Sequence, residues 1–83
     1  MYNMNVLEGS PYNLGATVTN QGINFAIFSR DATRVMLCFF ESASSAAPYA
    51  IAEFDPEKNR TGDIWHALIP DAKPGSLYLY RID

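Results

Sequence analysis

The sequence predicts an all-β chain built as an antiparallel sandwich. Three observations predict it. Short stretches with alternating apolar residues recur, as in Ile23 to Ser29 and Thr33 to Glu41. Clusters of Gly, Pro, Asn, Asp and Ser separate those stretches. No segment carries the apolar period of an amphipathic helix over a useful length.

Each element has its own reason. Residues 1–13 are mixed in character and broken at Gly9-Ser10-Pro11, so they read as an N-terminal arm ahead of a domain spanning residues 14–83. Leu14 to Thr19 is a short strand, and Asn20-Gln21-Gly22 is a turn. Ile23, Phe25 and Ile27 share one face of the next strand. Arg30-Asp31-Ala32 is a tight connection into Thr33 to Glu41, where Val35, Leu37 and Phe39 share a face. Ser42 to Pro48 is small, polar and aperiodic, which describes a surface loop. Tyr49 to Phe54 is a weaker strand. Asp55 to Gly62 is rich in charge and turn formers and reads as an exposed hairpin loop. Asp63 to Ile69 sets Trp65, Ala67 and Ile69 on one face. Pro74-Gly75 suits the centre of a type II turn. Leu77 to Asp83 is the last strand, with Tyr78, Tyr80 and Ile82 alternating. Six short strands of this kind fit an immunoglobulin-like sandwich, which has about seven strands in about 100 residues.

Size and charge narrow the function. Eighty-three residues form one small domain of marginal stability. A net charge of −3, with Lys and Arg scattered, argues against nucleic acid and against an anionic membrane as partner. No stretch reaches the about 18–20 apolar residues of a membrane-spanning helix. Cys38 is the single cysteine, so no internal disulfide forms. The first residues lack a cationic, apolar leader. A reducing, cytoplasmic compartment is the expectation.

Catalytic chemistry finds little support. Glycoside hydrolysis needs two carboxyl groups opposed at about 5–9 Å. The acids Asp31, Asp55, Glu57, Asp63 and Asp71 sit mainly in turns, where they solubilise or cap. Cys38 lies in an apolar strand, and His66 follows Trp65 on the opposite face, so both read as structural. One Cys and one His cannot complete a zinc site. No catalytic, metal or cofactor-binding residue is assigned. Trp65 is a weak candidate for stacking on a sugar, since its position reads as core. Phe28, Met36, Cys38 and Phe40 fall on strand faces opposite the core set and are the candidate interdomain interface. A strand buried centrally in a small sandwich accounts for them equally well. Left uncovered, such faces would pair copies of the chain as a non-functional homodimer.

Several motifs, in order, match one family. They are Leu14-Gly15-Ala16-Thr17-Val18, then Gly22, Asn24-Phe25-Ala26 and Phe28-Ser29, then Ala32-Thr33, Val35 and Leu37-Cys38. Trp65-His66, Pro74-Gly75 and Tyr78-x-Tyr80-Arg81 complete the series. Together they resemble the N-terminal accessory domain of isoamylase-type glycogen and starch debranching enzymes, carbohydrate-binding module family 48 of the alpha-amylase superfamily. Pullulanases and branching enzymes usually have Trp-Ala-Pro where this chain has Phe28-Ser29-Arg30, which favours the isoamylase branch. The resemblance implies an immunoglobulin-like fold and a parent that hydrolyses α-1,6 branch linkages. It also implies partners: the catalytic barrel of the same polypeptide, which would hold every catalytic carboxyl, and α-glucan such as glycogen or starch. The runner-up is a stand-alone glycan-binding module of a regulatory protein, and a purely structural sandwich is the third reading.

Overall fold

Alternation of side chains along the chain builds eight strands among residues 2–83, the residues described by this computed structural model. They are β1 (Tyr2–Asn3), β2 (Gly15–Thr19), β3 (Gly22–Phe28), β4 (Val35–Phe40), β5 (Ala50–Glu53), β6 (Arg60–Thr61), β7 (Ile64–Ile69) and β8 (Leu77–Ile82). They form two four-stranded sheets. Sheet A has the order β1-β5-β4-β8, and sheet B the order β2-β3-β7-β6. All pairings are antiparallel except β1 with β5. The architecture is an immunoglobulin-like sandwich.

The period-two pattern decides what is inside. Phe25, Val35, Leu37, Phe39, Trp65, Ala67 and Ile69 are at most 1% exposed and fill the space between the sheets. Phe25 meets Tyr78 edge-on, with ring centroids 4.9 Å apart, and meets Phe39 at 6.2 Å. These edge-to-face contacts join sheet B to sheet A through β3, β4 and β8. Burial pushes the Tyr80 phenol well above its usual range, and neighbouring Tyr78 adds to the effect.

The turns follow their chemistry. Thr19 pairs with Gly22 across the two-residue turn Asn20-Gln21. The Ser76 amide donates to the Lys73 carbonyl at 3.0 Å, and Gly75 takes φ +91°. Those are the marks of a type II turn, whose second central residue demands a positive φ.

Two stretches of the chain carry more structure than their composition announces. The segment Asp55 to Gly62 contains β6, and its Asn59 is buried. Arg60 reaches back over the core. Its guanidinium lies 4.9 Å from the centre of the Trp65 ring and donates to the carbonyls of Gly62 and Arg30 at 2.9 and 2.8 Å. The residues before β2 are equally involved. The Met4 amide donates to the Ile51 carbonyl at 2.8 Å, and the Met4 side chain enters the core. Leu7 then pairs with Leu68 beside β7. The N-terminal arm thus runs from the edge of one sheet to the edge of the other.

Trp65 joins this core to both sheet B neighbours, Ile27 and Arg60. Trp65→Ala is expected to cost about 3–5 kcal/mol. That is a large share of the total stability of a small domain, about 5–15 kcal/mol. Urea denaturation followed by far-ultraviolet circular dichroism measures it, and a cost below about 1 kcal/mol would show that the cavity closes without consequence.

Candidate functional site

The charged side chains serve turns, ion pairs and hydrogen bonds at the surface. Asp31, Asp55, Glu57 and Asp71 are exposed. Asp55 accepts the Glu57 amide at 2.9 Å and shapes its own turn. Asp63 lies 3.5 Å from Arg30 and 3.9 Å from Arg60. Asp71 accepts the Tyr2 hydroxyl at 3.0 Å, which raises the Tyr2 phenol. Arg34 clasps Glu53 through two hydrogen bonds of 2.8 and 3.0 Å and holds that carboxyl below its usual value. Among the described residues, no group of three His, Cys, Asp or Glu side chains gathers as a metal site.

Trp65 is 0% exposed, and its indole N–H donates to the Ser29 carbonyl at 3.1 Å. Such a ring presents no face to a sugar. Cys38 is half-buried on β4. His66 is buried and joins two backbone segments. Its Nδ1 lies 2.7 Å from the Glu8 carbonyl, which can only accept, so Nδ1 carries the hydrogen. Its Nε2 lies 2.8 Å from the Thr61 hydroxyl.

The structure separates the four interface candidates. Met36, Cys38 and Phe40 point outward from sheet A, because Val35, Leu37 and Phe39 point inward. Phe28 belongs to β3 and lies on the outer side of sheet B, 58% exposed. One flat partner cannot cover all four. Alternation along a strand reveals its inner and outer faces but not the sheet it joins, and β3 and β4 turn their inner faces toward each other. Met36 is itself buried, flanked in register by Glu53 and Arg81.

The residues that complete the outer face of sheet A come from β8 and β5. Leu77 and Leu79 sit opposite Phe40 and Cys38, and Ile51 sits opposite Cys38 from the other side. Leu79 is 64% exposed and Leu77 44%. Their signal was present in the sequence as the odd members of the Tyr78, Tyr80 alternation. Arg34 and Glu53 mark the charged end of this face, and a shallow cleft of about 270 Å³ beside Phe40, Ser42, Leu77 and Leu79 marks the apolar end.

The outer face of sheet B differs in kind. Here the arm crosses the sheet. A Cβ on Gly9 would lie 2.6 Å from the Ala67 carbonyl carbon and the Leu68 nitrogen, so only glycine permits this approach. Asn24 accepts the Ser10 amide at 2.8 Å and donates to the Ser10 carbonyl at 3.0 Å. Asn59 donates to the Leu7 carbonyl at 2.9 Å. Beyond Ser10 the arm stands away from the sheet, and a groove of about 310 Å³ opens between Tyr12, Thr17, Gln21 and Asn24.

Comparison with known proteins places these surfaces in context. Carbohydrate-binding module 48, the isoamylase N-terminal domain, matches residues 13–83. The chain is 44% identical over 78 residues to a glycogen debranching enzyme of Dickeya chrysanthemi, covering 94% of this chain and 11% of that protein. It is 43% identical over 75 residues to glycogen debranching enzymes of Pectobacterium atrosepticum and Pectobacterium carotovorum, in each case 90% of this chain and 10% of the relative. The chain thus spans about a tenth of the length of these curated relatives.

The hydrogen bonds of His66 generate a test of the arm. His66→Leu removes the shorter of the two donors to the Glu8 carbonyl and leaves it only the Asn59 amide at 3.4 Å, a local cost of about 1–3 kcal/mol. Hydrogen exchange of the Leu7 amide, which donates to Leu68 at 2.9 Å, is expected to speed up at least tenfold while Leu37 in the core keeps its protection. Unchanged exchange at Leu7 would show that the arm is held without the imidazole.

Proposed function

The chain belongs to the carbohydrate-binding module 48 family of isoamylase N-terminal domains, and we propose that it is the non-catalytic N-terminal domain of a glycogen debranching hydrolase. The parent polypeptide hydrolyses α-1,6 branch linkages in glycogen or a related α-glucan, in the cytoplasm. The observation that carries this reading is identity of 43–44% to the debranching enzymes of three bacteria, matched over a tenth of their length. The acidic side chains are in keeping with it: Asp55 shapes its own turn, and Glu53, Asp63 and Asp71 are engaged by Arg34, Arg30 and Tyr2.

The domain's own task is to brace the catalytic barrel. The surface suited to that task is the outer face of sheet A, where Phe40, Leu77, Leu79, Cys38 and Ile51 form an apolar field. An antiparallel sheet that meets water normally shows polar side chains on that side. Covering such a field gains about 25 cal/mol for each Å² removed from water. The unpaired edge of β8 adds a row of backbone donors and acceptors to the same border. Leu79 is the most exposed side chain of the field and is the residue most indicative of the contact.

Two experiments test this reading. The 83-residue chain alone is expected to release no reducing ends from amylopectin. Turnover that persists through repurification and vanishes when one of its acids is replaced would place catalysis inside the domain. Leu79→Asp is expected to lower the stability of the parent polypeptide by about 2 kcal/mol, the value of one buried leucine, and to leave the isolated domain unchanged. The same substitution should reduce self-association of the isolated domain in light scattering across a concentration series. Equal effects on parent and domain, with a strictly monomeric domain before substitution, would remove sheet A from the interface.

A further inference from the structure

The two sides of the sandwich are closed unequally. On one side the arm ties the β5 edge of sheet A to the β7 edge of sheet B: Met4 bonds to Ile51 and enters the core, and Leu7 bridges to Leu68. The strand orders therefore place β8 and β2 together on the other side. There the space between the sheets stands open. Ala16 and Val18 lie opposite Phe25 and Ile23 in register, so they face the core, yet Val18 is 60% exposed. Tyr78 and Ile82 lie opposite Phe39 and Val35 and also face inward, yet they are 36% and 43% exposed. Inward-facing side chains of a sandwich ordinarily meet the facing sheet and form its core. Here the alternation aims apolar groups inward and no layer covers them.

Both strand edges beside this opening are unpaired. β2 bonds only to β3, and β8 only to β4. Natural sheets blunt such edges with Lys, Pro, bulges or a covering segment, because a bare edge templates pairing with another chain. The β2 sequence GATVT holds no charged residue and no Pro, and the β8 sequence LYLYRI holds Arg81 alone. On the opposite side the arm supplies the cover. The open side asks for a surface with two rows of backbone donors and acceptors and apolar side chains between them. A second copy of the same side is such a surface. A two-fold axis perpendicular to the sheets sets β8 antiparallel to its own counterpart and β2 toward its own, with inner faces still inner. Residues opposite each other in an antiparallel pair share a face. With Leu79 opposite Leu79 of the partner subunit, Tyr78 meets Tyr80 of the partner subunit on the inner face.

We propose that the open side between β2 and β8 is an interface for a second copy of this chain, two sandwiches closing edge to edge so that each four-stranded sheet continues into its counterpart. The contact uses strand edges and inner faces. It is separate from the outer face of sheet A and does not depend on the role assigned to that face.

Sedimentation velocity of the 83-residue chain across a wide concentration series tests the proposal. The expected result is a reversible monomer–dimer equilibrium. Val18→Asp is expected to raise its dissociation constant by roughly tenfold or more, and Phe28→Ser, on the outer side of sheet B, to leave it unchanged. Hydrogen exchange on the unaltered chain gives a readout that needs no variant: amides of β2 and β8 should slow as concentration rises, while those of β6 should not. A chain that stays monomeric throughout overturns the proposal. So does a dimer that survives Val18→Asp and is lost in Phe40→Ser, which would place the contact on the outer face of sheet A. Exchange at β2 and β8 that does not change with concentration overturns it as well.

Discussion

The described chain buries three polar side chains, Asn24, Asn59 and His66, and all three hold the same short piece of backbone, residues 7–10. A polar group taken out of water without a partner costs on the order of 1–3 kcal/mol, so each of these positions is favourable only while the arm is in place. The dependence also runs the other way. The carbonyls of Leu7, Glu8 and Ser10 lie against the sandwich and find their donors in these side chains. No buried side-chain nitrogen or oxygen is left without a partner among the described residues. Arm and sandwich therefore stabilise each other, and the outward sides of Asn24 and His66 are covered by residues 7–10.

A second closure operates at the Trp65 end. Ser29 accepts the indole N–H, and Arg60 lies over the ring while donating to the carbonyls of Arg30 and Ala32. The connection between β3 and β4, which passes from one sheet to the other, is thereby fixed to β6 and β7. Arginine suits this position because its planar fork can stack on an indole and donate in several directions at once. The arm crosses sheet B, and Arg60 secures the strand connection that spans the two sheets. Between them, a core of one side-chain layer per sheet is enough for so short a chain.

What the sequence disclosed follows from the reach of each signal. Alternation is local, so the six longer strands were legible within a residue or two, as was the type II turn at Pro74-Gly75. Trp65 as core was legible for the same reason. The bonds from Asn59 to Leu7 and from His66 to Glu8 join residues 52 and 58 apart, and no periodicity announces them. Arg60 sat within a charged, turn-rich stretch that described a solvated loop, and only the fold brings Trp65 beneath it. The pairing of Phe28 with Met36, Cys38 and Phe40 as one surface failed for a topological reason, since a strand's outer face is known before its sheet is. The Tyr12 groove had no sequence signal of its own, because it exists only where the tethered arm passes the β2–β3 hairpin.

The two outer faces consequently differ in what they can do. Sheet A presents aliphatic side chains beside an unpaired strand edge, a combination that favours cover by protein and disfavours exposure to water. Sheet B presents arm backbone and, beside it, uncharged amides, hydroxyls and one open tyrosine, a combination compatible with water. The domain is thin, with extents of 34 × 30 × 18 Å, so the two faces stand only a short distance apart. A domain braced through sheet A would hold the sheet B groove outward at a fixed distance and orientation from whatever it braces.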